Sequence, residues 1–511
     1  MQNRKYFGLS SVTLVIILGA LLKFSIHLYY APGYGLFFDE LYTIALSRHL
    51  AFGYVDLPPL VPALVALSRL LLGESFFAMH IVPALAGSGT LVLLCLIVKE
   101  FGGKTFAVAL SALAFIVVPF WLMFDSIFCY DSIDQLILAG FLYTLVRFLQ
   151  TGHKRLWIVL GLIAGIACLT KMTILFLGPG FLVALLVSKY RKDLLTPWPW
   201  MGAALCLIIV MPYLLWQFVN HWPTIEYWIN YGTMRVYQAS PRQYLTNILV
   251  YMSPFLVPLW LAGLYRIFRR LNGVNYGFFG LLFLITLGLM FGLHATARML
   301  SELFVPLLAA GAVFVEELLA KVRWGGWVKA AALVYLLAVG VINTPWSLPV
   351  VPVDRLSTAL NPYKPLFQPL REFNSSSDLP DLIIGRLWWD QPARVVYQVY
   401  SGLSPEDRAR VGIFTDWYMT AAGLDLYGAQ YGLPHTVSGS LTYYLWGPGY
   451  SWDVMIIVTT KSNNMYVFFD ECEQKASVPN AENPMGDLYI FVCRNPKVSA
   501  KTIWSSVKSY R

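Results

Sequence analysis

Residues 37–62 read FFDELYTIALSRHLAFGYVDLPPLVP. The stretch follows the first long apolar run and opens with two adjacent carboxylates, Asp39 and Glu40. Arg48, His49 and Asp56 come next, ahead of Pro58-Pro59. What such a charged, aromatic segment does depends on its surroundings. Of the 511 residues, 58% are hydrophobic and 13% are charged, against about 25% charged in soluble domains. Apolar runs recur at about 8–30, 76–98, 105–122, 131–149, 156–170, 172–188, 200–218, 246–266, 276–294, 299–319 and 327–344. Runs of this kind cross a bilayer as helices. The expected fold is therefore a polytopic α-helical membrane protein with about 11 transmembrane helices.

The net charge of +9 does not point to nucleic acid, because the basic residues fall in short clusters between apolar runs. Cytoplasmic loops beside anionic lipid have that pattern. With the N-terminus inside, the inner loops hold sixteen Lys and Arg and the short outer segments six. The basic start of the chain leads into an apolar run that reaches about Tyr30 without a small-residue cleavage site, so it reads as a retained first span. The expected localisation is the cell membrane, multi-pass, with a cytoplasmic N-terminus. Asp39, Glu40, Asp56 and the segment FDSIFCYDSIDQL at the fourth span then lie outside, as does everything after about residue 345.

Three regions follow: a membrane domain at 1–344 with a first outer loop at 31–75, a linker at 345–380, and an extracytoplasmic domain at 381–511. In the last, strand-length runs (DLIIG, RVGIFT, DVMIIVTT, DLYIFVC) alternate with helical patterns, which predicts a small α/β domain with a largely parallel sheet. Cys472 and Cys493 lie there, either as a disulfide in an oxidising compartment or as two buried thiols. Cys95, Cys129, Cys168 and Cys206 read as small hydrophobes.

Carboxylates at a membrane interface are costly unless hydrated, paired or functional. Asp39 and Glu40 suit the first turn of a helix, and the apolar stripe of ELYTIALSRHLA lets that helix lie on the membrane surface. Asp131 and Asp134 share one face at spacing i, i+3. Lys171 reads either as a snorkelling interfacial lysine or as an anion contact, and Arg48, Arg235, Arg242 and Arg298 divide the same way. His294 at a span end reads as interfacial or as a ligand. Acids on several outer loops can activate a hydroxyl or bind a divalent metal through oxygen. Bases beside them can hold a phosphate.

At these residues the chain resembles glycosyltransferase family 39, the protein O-mannosyltransferase and aminoarabinose transferase family. The nearest branch is the bacterial "dolichyl-phosphate-mannose-protein mannosyltransferase-like" one. The resemblance rests on FFDELYTIALSRHLAFGYVDLPPL, CYDSIDQLILAGFLYTLVRFLQTG, GLIAGIACLTKMTILFLGPG, PYLLWQFVNHWPTIEYW, VPLLAAGAVFVEEL and LDLYGAQYGLPHTVSGSLTYYLWGPG, in that order. It implies a type C glycosyltransferase fold and inverting transfer of a sugar from a polyprenyl-phosphate donor, on the extracytoplasmic face, to a lipid, glycan or protein acceptor. Asp39 takes the place of the family's first-loop Asp, with Glu40 beside it, and the two are the catalytic candidates. Asp131 and Lys171 match the second acidic position and the LTK lysine. Arg48, Asp56, Asp131, Asp134, Lys171 and Arg298 are the substrate-binding candidates. No cofactor is assigned, and a divalent metal stays open. Two departures stand out. Relatives usually have a polar residue before the Pro pair, where this chain has Leu57. Many have a Gly-Lys-Asp-Tyr-like segment where it has ATARMLSELF, in which Arg298 is the cation.

The other readings are a transporter or lipid-linked glycan flippase, for which Lys23 inside the first span is the supporting residue, and a non-catalytic membrane protein. A transporter usually has repeated halves with broken helices in matching positions, and no such halves are visible.

Overall fold

The computed structural model describes residues 5–6, 9–30, 33–233, 240–371, 377–460, 467–479 and 486–510. All eleven apolar runs fold as helix. Six helices are long and apolar enough to cross a membrane: Ser11–Tyr30, Phe76–Glu100, Tyr130–Thr151, Pro197–Val219, Ala297–Leu319 and Gly325–Ser347. Two bent pairs, Thr173–Val187 with Lys189–Leu195 and Pro241–Tyr251 with Pro254–Ile267, turn by 101° and 78°. Shorter apolar helices at Thr105–Val117, Leu156–Cys168 and Gly277–Gly292 complete the bundle. Small residues set its tightest contacts, as is usual where lipid removes the hydrophobic drive between helices. A Cβ on Gly161 would lie 2.0 Å from the Gly202 carbonyl oxygen, and one on Gly311 would lie 2.1 Å from that of Leu259.

The bundle core contains one charged pair with no access to solvent. Lys23 Nζ donates to the Trp121 carbonyl at 2.8 Å and lies 2.7 Å from Asp125 Oδ2. Gln135 donates to the other Asp125 oxygen. A side chain at Gly87 would occupy the space of the Asp125 carboxylate, 2.2 Å away. Lys23 is thus part of a sealed ion pair rather than a midplane site.

The loop expected at 31–75 is two helices, Phe38–Arg48 and Leu60–Leu72. The first does not lie on the membrane surface. Nine of its residues are buried, leaving Asp39 and Arg48 with access to solvent. It packs against the C-terminal domain, with the Tyr42 ring 4.6 Å from that of Tyr418.

The C-terminal domain holds five strands: β1 (Val411–Thr415), β2 (Thr436–Ser438), β3 (Val454–Thr459), β4 (Phe469–Val478) and β5 (Leu488–Pro496), in the order β2-β1-β3-β5-β4. β1 is parallel to β2 and β3, whereas β5 is antiparallel to both β3 and β4. The sheet is therefore mixed, not largely parallel, because β4 and β5 join as an antiparallel pair. DLIIG is not a strand either: Asp381–Ile384 form a helical turn after Pro380. Helices Asp390–Ser401 and Tyr418–Tyr427 fall where the periodicity placed them. Cys472 and Cys493 are register partners on β4 and β5 and form a disulfide.

Removing one partner of a buried ion pair typically costs ~3–5 kcal/mol, because the other charge is left uncompensated. Lys23→Met is expected to lower the melting temperature of detergent-solubilised protein clearly, and Lys23→Met with Asp125→Leu to recover most of the loss.

Candidate active site

The helix Phe38–Arg48 begins on an extended Phe37, and Glu40 closes its first turn. Glu40 Oε2 accepts the Phe37 N–H at 2.8 Å, and Oε1 accepts the Phe128 N–H at 2.9 Å. Glu40 has no exposed surface and lines no described cavity. Both oxygens of this residue, expected to be the second catalytic carboxylate, accept backbone amides, an arrangement that holds the first turn of its helix in place. Successive residues of a helix point about 100° apart. Fixing Glu40 inward therefore turns Asp39 into a cavity of about 200 Å³.

That first chamber is walled by Phe38 from the helix Phe38–Arg48, by Phe124 and Tyr130 from the bundle, by Tyr227 and Tyr231 from the helix Pro223–Thr233, and by Tyr418 and Asp381 from beyond residue 380. Arg298 faces it as well. A second chamber of about 380 Å³ lies alongside, lined by Asp56, Lys171, Thr173, Phe176 and Leu293. Tyr130, Tyr227, Tyr231 and Arg298 border both. Asp131 sits behind this partition, only 1% exposed. Its Oδ1 is ion-paired with Lys171, and its Oδ2 lies 3.9 Å from an Arg298 nitrogen. The Lys171 ammonium also lies 4.9 Å from the centre of the Tyr130 ring.

Asp56 accepts the Tyr42 hydroxyl at 2.8 Å. Burial pushes its carboxyl up to about 7, with the Tyr42 hydrogen bond pulling the other way.

Of the residues selected from sequence, Asp39 and Arg298 meet in the first chamber, and Asp56, Lys171 and Arg298 meet in the second. Asp131 joins the two bases from behind. Asp134 is fully buried and lines neither chamber. Arg48 is at the far end of its helix, in an exposed pair with Glu74 at 3.5 Å, and is not in the site. Arg242 and His294 are exposed and line neither chamber. Arg235 lies outside the described residues. Sequence reading missed the tyrosine partition, although Tyr227 and Tyr231 have the i, i+4 spacing of one helical face. It also missed Glu302 and the contributions of Phe367 and Leu370 from the linker. Among the described residues no group of three or more His, Cys, Asp or Glu side chains converges as a metal site would.

The family model described as dolichyl-phosphate-mannose-protein mannosyltransferase matches residues 56–216. Among solved structures, ArnT from Cupriavidus metallidurans bound to undecaprenyl phosphate aligns over 94% of this chain and 97% of its own, with a TM-score of 0.57 and 13% identity. The apo form of the same protein aligns over the same shares at 14% identity and the same TM-score. The fold is that of a type C glycosyltransferase. The family-model match agrees with the resemblance to family 39 seen in the sequence motifs, and the structural matches show the fold it implies. None of the curated proteins compared with the chain matches it. The chain is a multi-pass membrane protein, and its C-terminal domain forms part of the wall of the first chamber.

The Asp56 carboxyl titrates near 3.8 when unfolded and at about 7 when folded, so the folded state holds an extra proton between these values. The stability this gives is complete below the lower value and is lost as pH rises through the upper one. The melting temperature is expected to fall across that window, and Asp56→Asn should remove part of the fall.

Proposed function

We propose that this chain is an integral-membrane inverting glycosyltransferase that moves a sugar from a polyprenyl-phosphate donor to a lipid, glycan or protein acceptor on the extracytoplasmic face. The observation that carries this reading is the pair of chambers sharing Arg298. One holds the cavity-facing carboxylate Asp39, and the other holds Lys171 above an apolar lining of Phe176 and Leu293. A base on one side and cations on the other suit an in-line displacement, with the sugar at the tyrosine partition between them. The family-model match and the undecaprenyl phosphate bound to ArnT support a lipid-linked donor.

In this reading the acceptor hydroxyl enters the first chamber and gives its proton to Asp39. Its oxygen forms the new bond to the anomeric carbon while the bond from that carbon to the phosphate oxygen breaks. The electron pair leaves with the polyprenyl phosphate, whose added negative charge Lys171 and Arg298 stabilise. Asp131 holds both cations in place, and Asp56 contacts a sugar hydroxyl. The excess of basic residues on the opposite loops supports the extracytoplasmic orientation. A transporter or flippase gains nothing from Lys23, which is spent on Asp125.

Two carboxylates next to each other in sequence are expected to fail in different ways. Asp39→Asn should leave the melting temperature intact and lower transfer from a polyprenyl-phosphate sugar by about 10²–10⁴-fold. Glu40→Gln strands one buried amide, which typically costs about 1–3 kcal/mol, so thermal stability should drop first and activity should follow the folded fraction. Near-normal transfer by correctly inserted Asp39→Asn would overturn the assignment. Mass spectrometry of envelope lipids, glycans and proteins from a deletion strain would identify the sugar and the acceptor.

A further inference from the structure

A further cavity lies within the bundle, and the proposed reaction does not use it. It has a volume of about 250 Å³ and shares no lining residue with either chamber. Most of its wall comes from the helices Leu156–Cys168, Thr173–Val187 and Pro197–Val219, and no residue in that wall is charged. Small residues, among them Gly161, Gly178, Gly202 and Ala203, make the space. Gly178 and Ala203 are exposed, so the cavity opens on the surface of the bundle. Leu175 and Leu182, one helical turn either side of Gly178, and Leu207, one turn past Ala203, are exposed as well. An apolar cavity stays dry. On the lipid-facing side of a membrane protein its occupant is therefore hydrocarbon.

One end of this cavity meets a basic part of the chain. Trp157, in its wall, follows Lys154 and Arg155, and Pro199 follows the segment Lys189–Leu195, KYRKDLL. That segment turns by 101° from the helix Thr173–Val187, so where the helix crosses the bilayer the segment runs along its surface. Three hydrogen bonds fix it there. The Trp157 indole N–H donates to Asp193 Oδ2 at 3.1 Å, the Tyr190 hydroxyl to the Leu149 carbonyl at 2.7 Å, and the Trp200 indole N–H to the Leu194 carbonyl at 2.9 Å. Residues 152–155 and 188–196 hold five Lys and Arg, all exposed, against one acid, Asp193. Basic pockets between spans bind anionic lipid headgroups. The chain of the polyprenyl-phosphate donor fits less well. Lys171, which faces its phosphate in the reading above, lies at the other end of Thr173–Val187, a helix roughly 22 Å long.

We propose that this cavity binds one acyl chain of an anionic phospholipid, whose headgroup rests on Lys154, Arg155, Lys189, Arg191 and Lys192. The small residues admit the chain, and the basic segments select the charge. Neither belongs to the two chambers, so the proposal stands independently of the glycosyl-transfer reading.

Phosphatidylglycerol and phosphatidylcholine with identical acyl chains are the probes. They are titrated onto purified, delipidated full-length protein in detergent, and binding is read by native mass spectrometry. Wild type should hold one phosphatidylglycerol more tightly than phosphatidylcholine. The triple variant Lys189→Gln/Arg191→Gln/Lys192→Gln alters exposed side chains only. It should weaken phosphatidylglycerol by about 100-fold, at roughly fivefold per cation, and leave phosphatidylcholine nearly unchanged. Gly178→Leu fills the cavity, and a Cβ at that position meets no atom within 4 Å, so the fold should accept it. It should weaken both lipids by about tenfold or more without lowering the melting temperature of the lipid-free protein. Should Gly178→Leu fail to fold, the triple variant and the comparison of the two lipids still decide. Equal affinity for the two lipids would overturn the proposal, as would phosphatidylglycerol binding unchanged by the triple variant or by a folded Gly178→Leu. Displacement of phosphatidylglycerol by undecaprenyl phosphate would overturn it too, and would assign the cavity to the donor's chain.

Discussion

The Glu40 carboxylate is the contact on which the site depends. It reaches backward to the Phe37 amide and sideways to the Phe128 amide, and so joins the start of one helix to the turn before another. The first of these helices carries Asp39 and the second carries Asp131. Residues from beyond the linker brace the same joint. The Gly385 carbonyl accepts the Phe38 N–H at 3.1 Å, and buried Arg386 donates to the Ser126 carbonyl at 2.7 Å. The Phe37 ring packs so closely on Gly385 that a Cβ there would lie 2.3 Å from it. A buried charge with both oxygens satisfied tolerates little movement, which makes it a good anchor and a poor acid–base catalyst.

Two lysine–aspartate pairs show how access divides structure from chemistry. Lys23 with Asp125 and Lys171 with Asp131 use the same groups, and three of the four side chains are almost wholly buried. The first pair is enclosed by Gly87, Gln135 and Trp121 and only holds helices together. The second lies behind an open chamber, and Lys171 keeps 12% of its side-chain surface exposed. Lys171 therefore borders a cavity, which a lysine in a sealed pair does not.

Length and hydropathy made the bundle legible, because a run of about 20 apolar residues has few other stable solutions. Asp39, Asp131, Lys171 and Arg298 stood out as candidates because charge beside a span is expensive, and the structure groups them around the two chambers. Adjacency in sequence suggested a shared role for Asp39 and Glu40, whereas a helix points neighbours in different directions, and only Asp39 lines the first chamber. Arg48 was misread because reach along a helix is not visible from proximity in the chain. Glu302 drew no attention in the sequence, and tertiary packing buries it. The short run DLIIG is ambiguous by periodicity alone. Strand β4, with the polar sequence FDECEQKASV, is an edge strand whose exposure permits that composition.

The C-terminal domain contributes to both chambers. The Thr442 hydroxyl accepts the Val55 N–H at 3.0 Å, and the Thr442 N–H donates to the Tyr42 hydroxyl at 3.3 Å. That same hydroxyl donates to Asp56. The domain therefore sets the position of a carboxylate in the second chamber through a chain of two hydrogen bonds, while Tyr418 and Asp381 close the first. One helix, Phe38–Arg48, lies at the centre of both effects, with Asp39 directed at one chamber and Tyr42 holding the acid of the other. A type C bundle alone would leave this helix with one unburied face, and the apolar positions of that face are the ones the domain covers. Burial of the helix and assembly of the two chambers are thus a single packing event.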